Sequence, residues 1–256
     1  MSDVAAERSR GSRAIAQVRA EPFVALLAIA LTVTTAERIW LSRGLPLWTD
    51  ERFTWMLARQ PDLAAFVRQL WLDPNAPLYS LIMRLWPFAS PFMLRLPSHI
   101  AVTVASLLPL LWQMPKSTVT LAAVWGIMIA AWTGSLYAAT DARCYAFALL
   151  LVTALTIAFA RLIEAPSRQR AAVWVAIGTA LFLAEYHSAA LCIVQAIALV
   201  VVHRARVFAL WPAVLAAIPG FAWIGWHLSR LLVFAQPGSS WQWRLSPAEL
   251  PVMADY

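Results

Sequence analysis

Residues 22–39 read PFVALLAIALTVTTAERI, an apolar run close to the roughly 20 residues that a helix needs to cross a bilayer. Comparable runs follow at about 93–113, 118–138, 142–161, 171–186, 188–202 and 208–228. The chain is 61% hydrophobic and 13% charged, about half the charge of a typical soluble domain. Its fourteen Trp suit lipid–water interfaces, and its sixteen Pro are tolerated in spanning helices. The pattern predicts an all-α fold, a polytopic transmembrane helix bundle of about seven spans.

The net charge of +7 rests almost wholly on arginine, with Lys116 the one lysine. A nucleic-acid binder would gather these charges on one face of a soluble fold. Here they are scattered between apolar runs, which excludes that class and marks them as topology signals. Arg8, Arg10, Arg13 and Arg19 precede the first run, so residues 1–20 read as a cytoplasmic tail. The short inner turns then carry Lys116, Arg161, Arg168, Arg170, Arg204 and Arg206, against Arg143 alone at the short outer turns. The first run is too long for a signal-peptide core, so it is expected to stay as an anchor. Cys144 and Cys192 offer neither a disulfide framework nor metal-ligand spacing.

Between the first and second spans, residues 41–91 are too polar to cross a membrane and too patterned to be disordered. Thr49 reads as the N-cap of a helix ending before Pro61, and Asp62 as the cap of a second helix. A turn at Asp73-Pro74-Asn75-Ala76-Pro77 leads to a third helix containing Tyr79. These are interfacial amphipathic helices in a structured outer loop. Residues 21–228 form one transmembrane domain, and 229–256 begin a further outer loop. There Trp241-Gln242-Trp243-Arg244 reads as an interfacial belt.

Topology then brings three polar sites to the outer side: Asp50-Glu51, the Thr140–Arg143 turn and the Glu185–His187 turn. Each has a plain reading. Two carboxylates in a first helical turn favour the positive dipole end by about 0.3–1 kcal/mol. Asp141 and Arg143 suit a local ion pair, and His187 a headgroup contact. His99, His203 and His227 read as structural. The chemical reading makes the acids a general base or metal ligands, and Arg143 a partner for phosphate.

Trp48-Thr49-Asp50-Glu51, Asp73-Pro74-Asn75-Ala76-Pro77-Leu78-Tyr79 and Leu94-Arg95-Leu96-Pro97-Ser98 carry a resemblance. So do Thr140-Asp141-Ala142-Arg143-Cys144-Tyr145-Ala146 and Tyr186-His187-Ser188-Ala189-Ala190-Leu191. Together they resemble the bacterial GT-C glycosyltransferases of the protein-mannosyltransferase-like and aminoarabinose-transferase-like group, over roughly residues 22–250.

The resemblance implies transfer of a sugar from a polyprenyl-phosphate donor to a lipid, protein or polysaccharide acceptor. The reaction would be inverting, at the outer face of the bacterial cytoplasmic membrane. It makes Asp50 the catalytic base with Glu51 beside it, Asp141 the second acid and Arg143 the donor-phosphate contact. His187, Tyr79 and Asn75 become acceptor or site contacts, and a divalent cation is left open between Asp50 and Asp141.

Asp141 stands where the family usually has Glu, and Asn75-Ala76 where it has His-Pro. The end at Tyr256 suggests the N-terminal part of a longer enzyme. The rival expectations are a polyprenyl-phosphate-sugar binder or transporter without transferase activity, and an inactive fragment. The transporter needs polar groups inside the spans, where the sequence offers few beyond Gln195.

Overall fold

A computed structural model describes residues 2–235, with side chains from residue 22 onward; the Trp241–Arg244 belt lies outside the described residues. Among them every regular element is helical. In chain order these are α1 (Ser2–Gly44), α2 (Thr49–Ala58), α3 (Leu63–Leu72), α4 (Leu78–Leu85), α5 (Pro91–Leu111), α6 (Val119–Ala131), α7 (Thr133–Ala139), α8 (Tyr145–Glu164) and α9 (Arg168–Ala184). A 3-10 turn at Tyr186–Ser188, α10 (Ala189–His203), a 3-10 helix at Arg204–Ala217 and α11 (Ile218–Phe234) follow.

Four stretches are long and apolar enough to cross a membrane: Pro22–Gly44, Pro91–Leu111, Tyr145–Glu164 and Tyr186–Phe234. A fifth appears if α6 and α7, bent by 62° at Trp132, count as one. The expected seven exceed this number for a physical reason. α9 has 17 residues, roughly 26 Å of helix against a hydrocarbon core of about 30 Å, and α10 and α11 fall within the single stretch Tyr186–Phe234. The residues expected to form the N-terminal tail are helical, since α1 runs unbroken from Ser2.

Lipid-facing character shows in side chains turned outward. Leu26, Ile29 and Val33 on α1, and Ile193, Ile197 and Val201 on α10, are all exposed. A contiguous exposed apolar surface of this kind marks a membrane or partner contact.

The bundle has two ends. At the first, α5 begins beside α2, and α8 begins at the Asp141 turn. At the second, the Arg161 guanidinium near the end of α8 lies over the Trp112 ring at the end of α5, 5.4 Å from its centroid. His203 Nε2, closing α10, bonds the Ile163 carbonyl at 2.8 Å at this second end. α11 returns to the first end, where His227 Nε2 bonds the Trp71 carbonyl at 3.0 Å.

The helices α2, α3 and α4 cover the first end much as the sequence predicts. Asp62 caps α3 by accepting from Ala65 N at 2.7 Å. At α2 the expected cap moves by one residue: Thr49 is already helical and Trp48 is the N-cap. Trp48 has no side-chain acceptor, and the cap is supplied in reverse by Glu51, whose Oε2 accepts from Trp48 N at 3.1 Å.

Packing inside the bundle relies on small residues. Ala101, Ala138, Ala139 and Ala146 join Val102 where α5, α7 and α8 meet, as expected where lipid supplies no hydrophobic drive and backbones must approach closely. Gly126 on α6 faces the Ser106 carbonyl and the Leu27 side chain so tightly that a Cβ would fall far inside contact distance of that carbonyl. Gly126→Ala should therefore destabilise the protein by about 1–3 kcal/mol through overpacking, read as a lower melting temperature in detergent micelles.

Candidate functional site at the first end of the bundle

The site is built around Glu51, whose side chain is fully buried. Arg95, in the first turns of α5, meets it with a bidentate pair: Nε donates to Oε1 at 2.7 Å and Nη2 to Oε2 at 2.6 Å. Glu51 Oε1 also accepts from Ala142 N at 2.8 Å, and Oε2 from Trp48 N. Four donors fill the four acceptor positions of a carboxylate.

Arg95 is equally committed. Its remaining N–H groups go to the carbonyls of Ser42 and Leu45, at 3.2 and 2.8 Å from Nη1, and of Pro46, at 2.9 Å from Nη2. These carbonyls close the end of α1, which would otherwise leave acceptors without partners. One ion pair thus ties the end of α1, the start of α2, the start of α5 and the turn before α8. The reading of Glu51 as a catalytic carboxylate gives way here to a structural one, because no lone pair is left to take a proton.

Asp50 points the other way. It is about half exposed, and its Oδ2 lies 3.7 Å from Nη2 of Arg143, whose side chain is 13% exposed. Burial works against the charge on Arg143, but Asp50 with Cys144, Tyr145 and Asp141 together outweigh it, and the guanidinium titrates above its ordinary range. Asp141 accepts from the Trp48 indole at 3.1 Å, while its backbone carbonyl takes the Ser98 hydroxyl at 2.8 Å. Burial pushes the Asp141 carboxyl up to about 6; the Trp48 bond opposes that rise and the Glu51 charge adds to it.

Beyond Arg143, Cys144 Sγ donates to Glu185 Oε2 at 3.6 Å, and His187 Nδ1 meets Glu185 Oε1 at 2.8 Å. Burial, with Glu185 beside it, pushes the Cys144 thiol up to about 12, so it stays protonated. The sequence-predicted Asp50, Asp141, Arg143 and His187 therefore come to one end of the bundle.

Two predicted contacts do not reach the open site. Tyr79 is buried against Phe147, with ring centroids 5.7 Å apart. Its hydroxyl lies beside Ser98 without meeting hydrogen-bond geometry, and burial lifts the phenol above its ordinary range. Asn75 is exposed but turned onto its own loop, donating to Asp73 Oδ1 at 2.7 Å. Both give way to a structural reading.

Sequence reasoning passed over Arg95 and Trp48 as members of this network, and placed Glu185 in a converging turn without a role of its own. For Arg95 a signal existed, since an arginine at the head of an apolar span is costly unless paired. The expectation of few polar groups in the spans is also corrected. Arg38 on α1 and His99 on α5 are buried alongside Arg95. Arg38 Nη2 donates to the Ala130 carbonyl at 2.7 Å, and His99 Nε2 pairs with Ser42 Oγ at 2.9 Å. Gln195 accepts from the Trp174 indole at 2.7 Å.

A divalent cation between Asp50 and Asp141 fits these residues poorly. Glu51 is saturated, Asp50 faces a guanidinium, and no group of three or more metal-binding side chains occurs among the described residues. Comparison with protein-family profiles, curated proteins and solved structures finds no match to this chain.

Glu51→Gln should cost about 3–5 kcal/mol by stranding a buried guanidinium, and Arg95→Lys should also destabilise, since an ammonium cannot span the same acceptors. Chemical unfolding in micelles measures both. Asp141, protonated more readily folded than unfolded, should lower stability as pH rises from about 4 through 6. Melting curves of wild type and Asp141→Asn should diverge over that window, with the variant the more stable above it.

Proposed function

We propose that the protein is a membrane glycosyltransferase that moves a sugar from a polyprenyl-phosphate donor to an acceptor hydroxyl. The observation that carries this reading is the facing of a half-exposed carboxylate, Asp50, and a largely buried guanidinium, Arg143, at the membrane end of the bundle. A lipid phosphate is a good leaving group, so the reaction needs a base and a positive charge rather than a strong acid. The sequence resemblance to GT-C enzymes rests on the same residues.

In this reading the donor phosphate takes over Arg143 as its counter-ion and releases Asp50. The acceptor hydroxyl attacks the anomeric carbon while Asp50 takes its proton. The carbon–oxygen bond to phosphate breaks, and its electron pair stays on the phosphate beside Arg143. Attack from the face opposite the leaving group inverts the centre, as in inverting glycosidases. Asp141, with its raised pKa and indole partner, is the second acid of the site.

The apolar cavity of about 340 Å³ between α9, α10 and α11, lined by Trp174, Phe182, Cys192 and Phe221, supports a lipid donor, because it offers room for an isoprenoid segment. Seven passes are part of the proposal, with α9, α10 and the Arg204–Phe234 return each crossing once. So are a cytoplasmic N-terminus and an outward-facing site in the bacterial cytoplasmic membrane. A second reading, a carrier-lipid binder without transfer, draws on the buried Arg38 and His99 inside the spans.

The discriminating measurement is transfer from a labelled polyprenyl-phosphate sugar in vesicles. Asp50→Asn should reduce transfer by about 10²-fold or more, within the range of general-base contributions, with melting unchanged. Wild-type turnover by that variant removes Asp50 as base, and donor binding without any transfer favours the carrier reading.

A further inference from the structure

The second end of the bundle, a full helix length from Asp50, holds a cavity of about 290 Å³ lined by Trp112, Ala158, Arg161, Gln169, Arg170 and Val173. Along α8 its Ala158 and Arg161 lie roughly 20–24 Å of helix from Tyr145, the residue that opens the helix after the Asp141 turn. The volume lies at the small end of ligand pockets, which suits a headgroup rather than a whole lipid.

Its two guanidiniums are anchored but not neutralised. Arg161 uses Nε on the Gln113 carbonyl at 3.1 Å and lies over the Trp112 ring. Arg170 uses Nη1 on the carbonyls of Arg161 and Ala165, at 2.8 and 3.1 Å. Among the described residues neither meets a carboxylate within ion-pair distance. The nearby acid, Glu164, is taken by Lys116 at 3.5 Å.

Two arginines held in place by backbone carbonyls keep N–H groups free for an anion, and their planar forks match phosphate oxygens. Ala158, which is buried, gives the cavity an apolar side toward the bundle interior, Val173 an apolar side at the surface, and Trp112 supplies the interfacial indole.

We infer that this cavity is a phosphate-binding site, occupied by the headgroup phosphate of an anionic membrane lipid seated between α5, α8 and α9. Basic pockets between membrane helices bind such headgroups elsewhere, and each arginine near an anionic surface contributes about 1 kcal/mol. The site is independent of the transferase reading, since it shares no residue with the Asp50 end.

The test uses the full chain in a neutral detergent, with phosphatidylglycerol, phosphatidylcholine or inorganic phosphate added. Lipid retention is read by native mass spectrometry and stabilisation by melting temperature. Phosphatidylglycerol should be retained and raise the melting temperature, with phosphatidylcholine weaker.

Arg161→Gln combined with Arg170→Gln should weaken phosphatidylglycerol binding about tenfold or more. Arg204→Gln with Arg206→Gln, at the same end of the bundle but outside the cavity, should leave it unchanged. If the glutamine pair does not fold, Arg161→Lys with Arg170→Lys keeps the charge, loses the fork and should bind at an intermediate level.

Stabilisation by inorganic phosphate with the same arginine dependence and no lipid preference assigns the site to free phosphate and upholds the phosphate chemistry. Equal binding by wild type and the cavity variants overturns the inference. So does an equal loss in the Arg204/Arg206 pair.

Discussion

The bidentate pair between Glu51 and Arg95 is the constraint on which the first end of the bundle depends. Both groups are buried, both are saturated with hydrogen bonds, and the partners come from residues 42–48 and from the turn before α8. A buried pair of this kind adds little net stability over an apolar replacement, but losing one member is severe. Its contribution is therefore specificity. It sets the register of α2 against α5 and the Asp141 turn, and Asp50, one residue before Glu51, is held about 100° round the first turn of α2. The openness of Asp50 follows from the confinement of its neighbour.

A second theme is how broken helices satisfy their carbonyls where water is scarce. Pro97 in α5 lacks an N–H, which leaves the Met93 carbonyl free, and the Trp86 indole donates to it at 2.8 Å. α6 stops at Ala131, and Arg38 fills the place of a missing backbone donor at Ala130. Side chains from distant elements thus serve as caps, as irregular backbone at membrane depth demands.

The sequence carried the helical class, the membrane character and the three loop helices, because hydropathy and cap residues are local signals. Asp62 at the head of α3 is such a case. The convergence of Asp50, Asp141 and Arg143 was also legible, since topology alone sends those turns to one side. The partnership of Glu51 with Arg95 was not, because it joins residues 44 positions apart and leaves no periodic trace. The burial of Tyr79 was hidden for a similar reason: an interfacial anchor and a core residue share one hydropathy pattern, and the contact with Phe147 on α8 distinguishes them. The number of spans is less legible, because hydropathy runs do not show where helices join or break: the runs at 188–202 and 208–228 fall within the one stretch Tyr186–Phe234.

The two buried arginines near the first end differ in when their partners are synthesised. Arg95 follows Glu51 by 44 residues, so its counter-charge already exists when α5 is made. Arg38 depends on the Ala130 carbonyl, 92 residues later. At ribosomal rates of about 5–20 residues per second, that interval lasts several seconds. During it the Arg38 guanidinium lacks the α6 carbonyl that accepts from it in the folded protein.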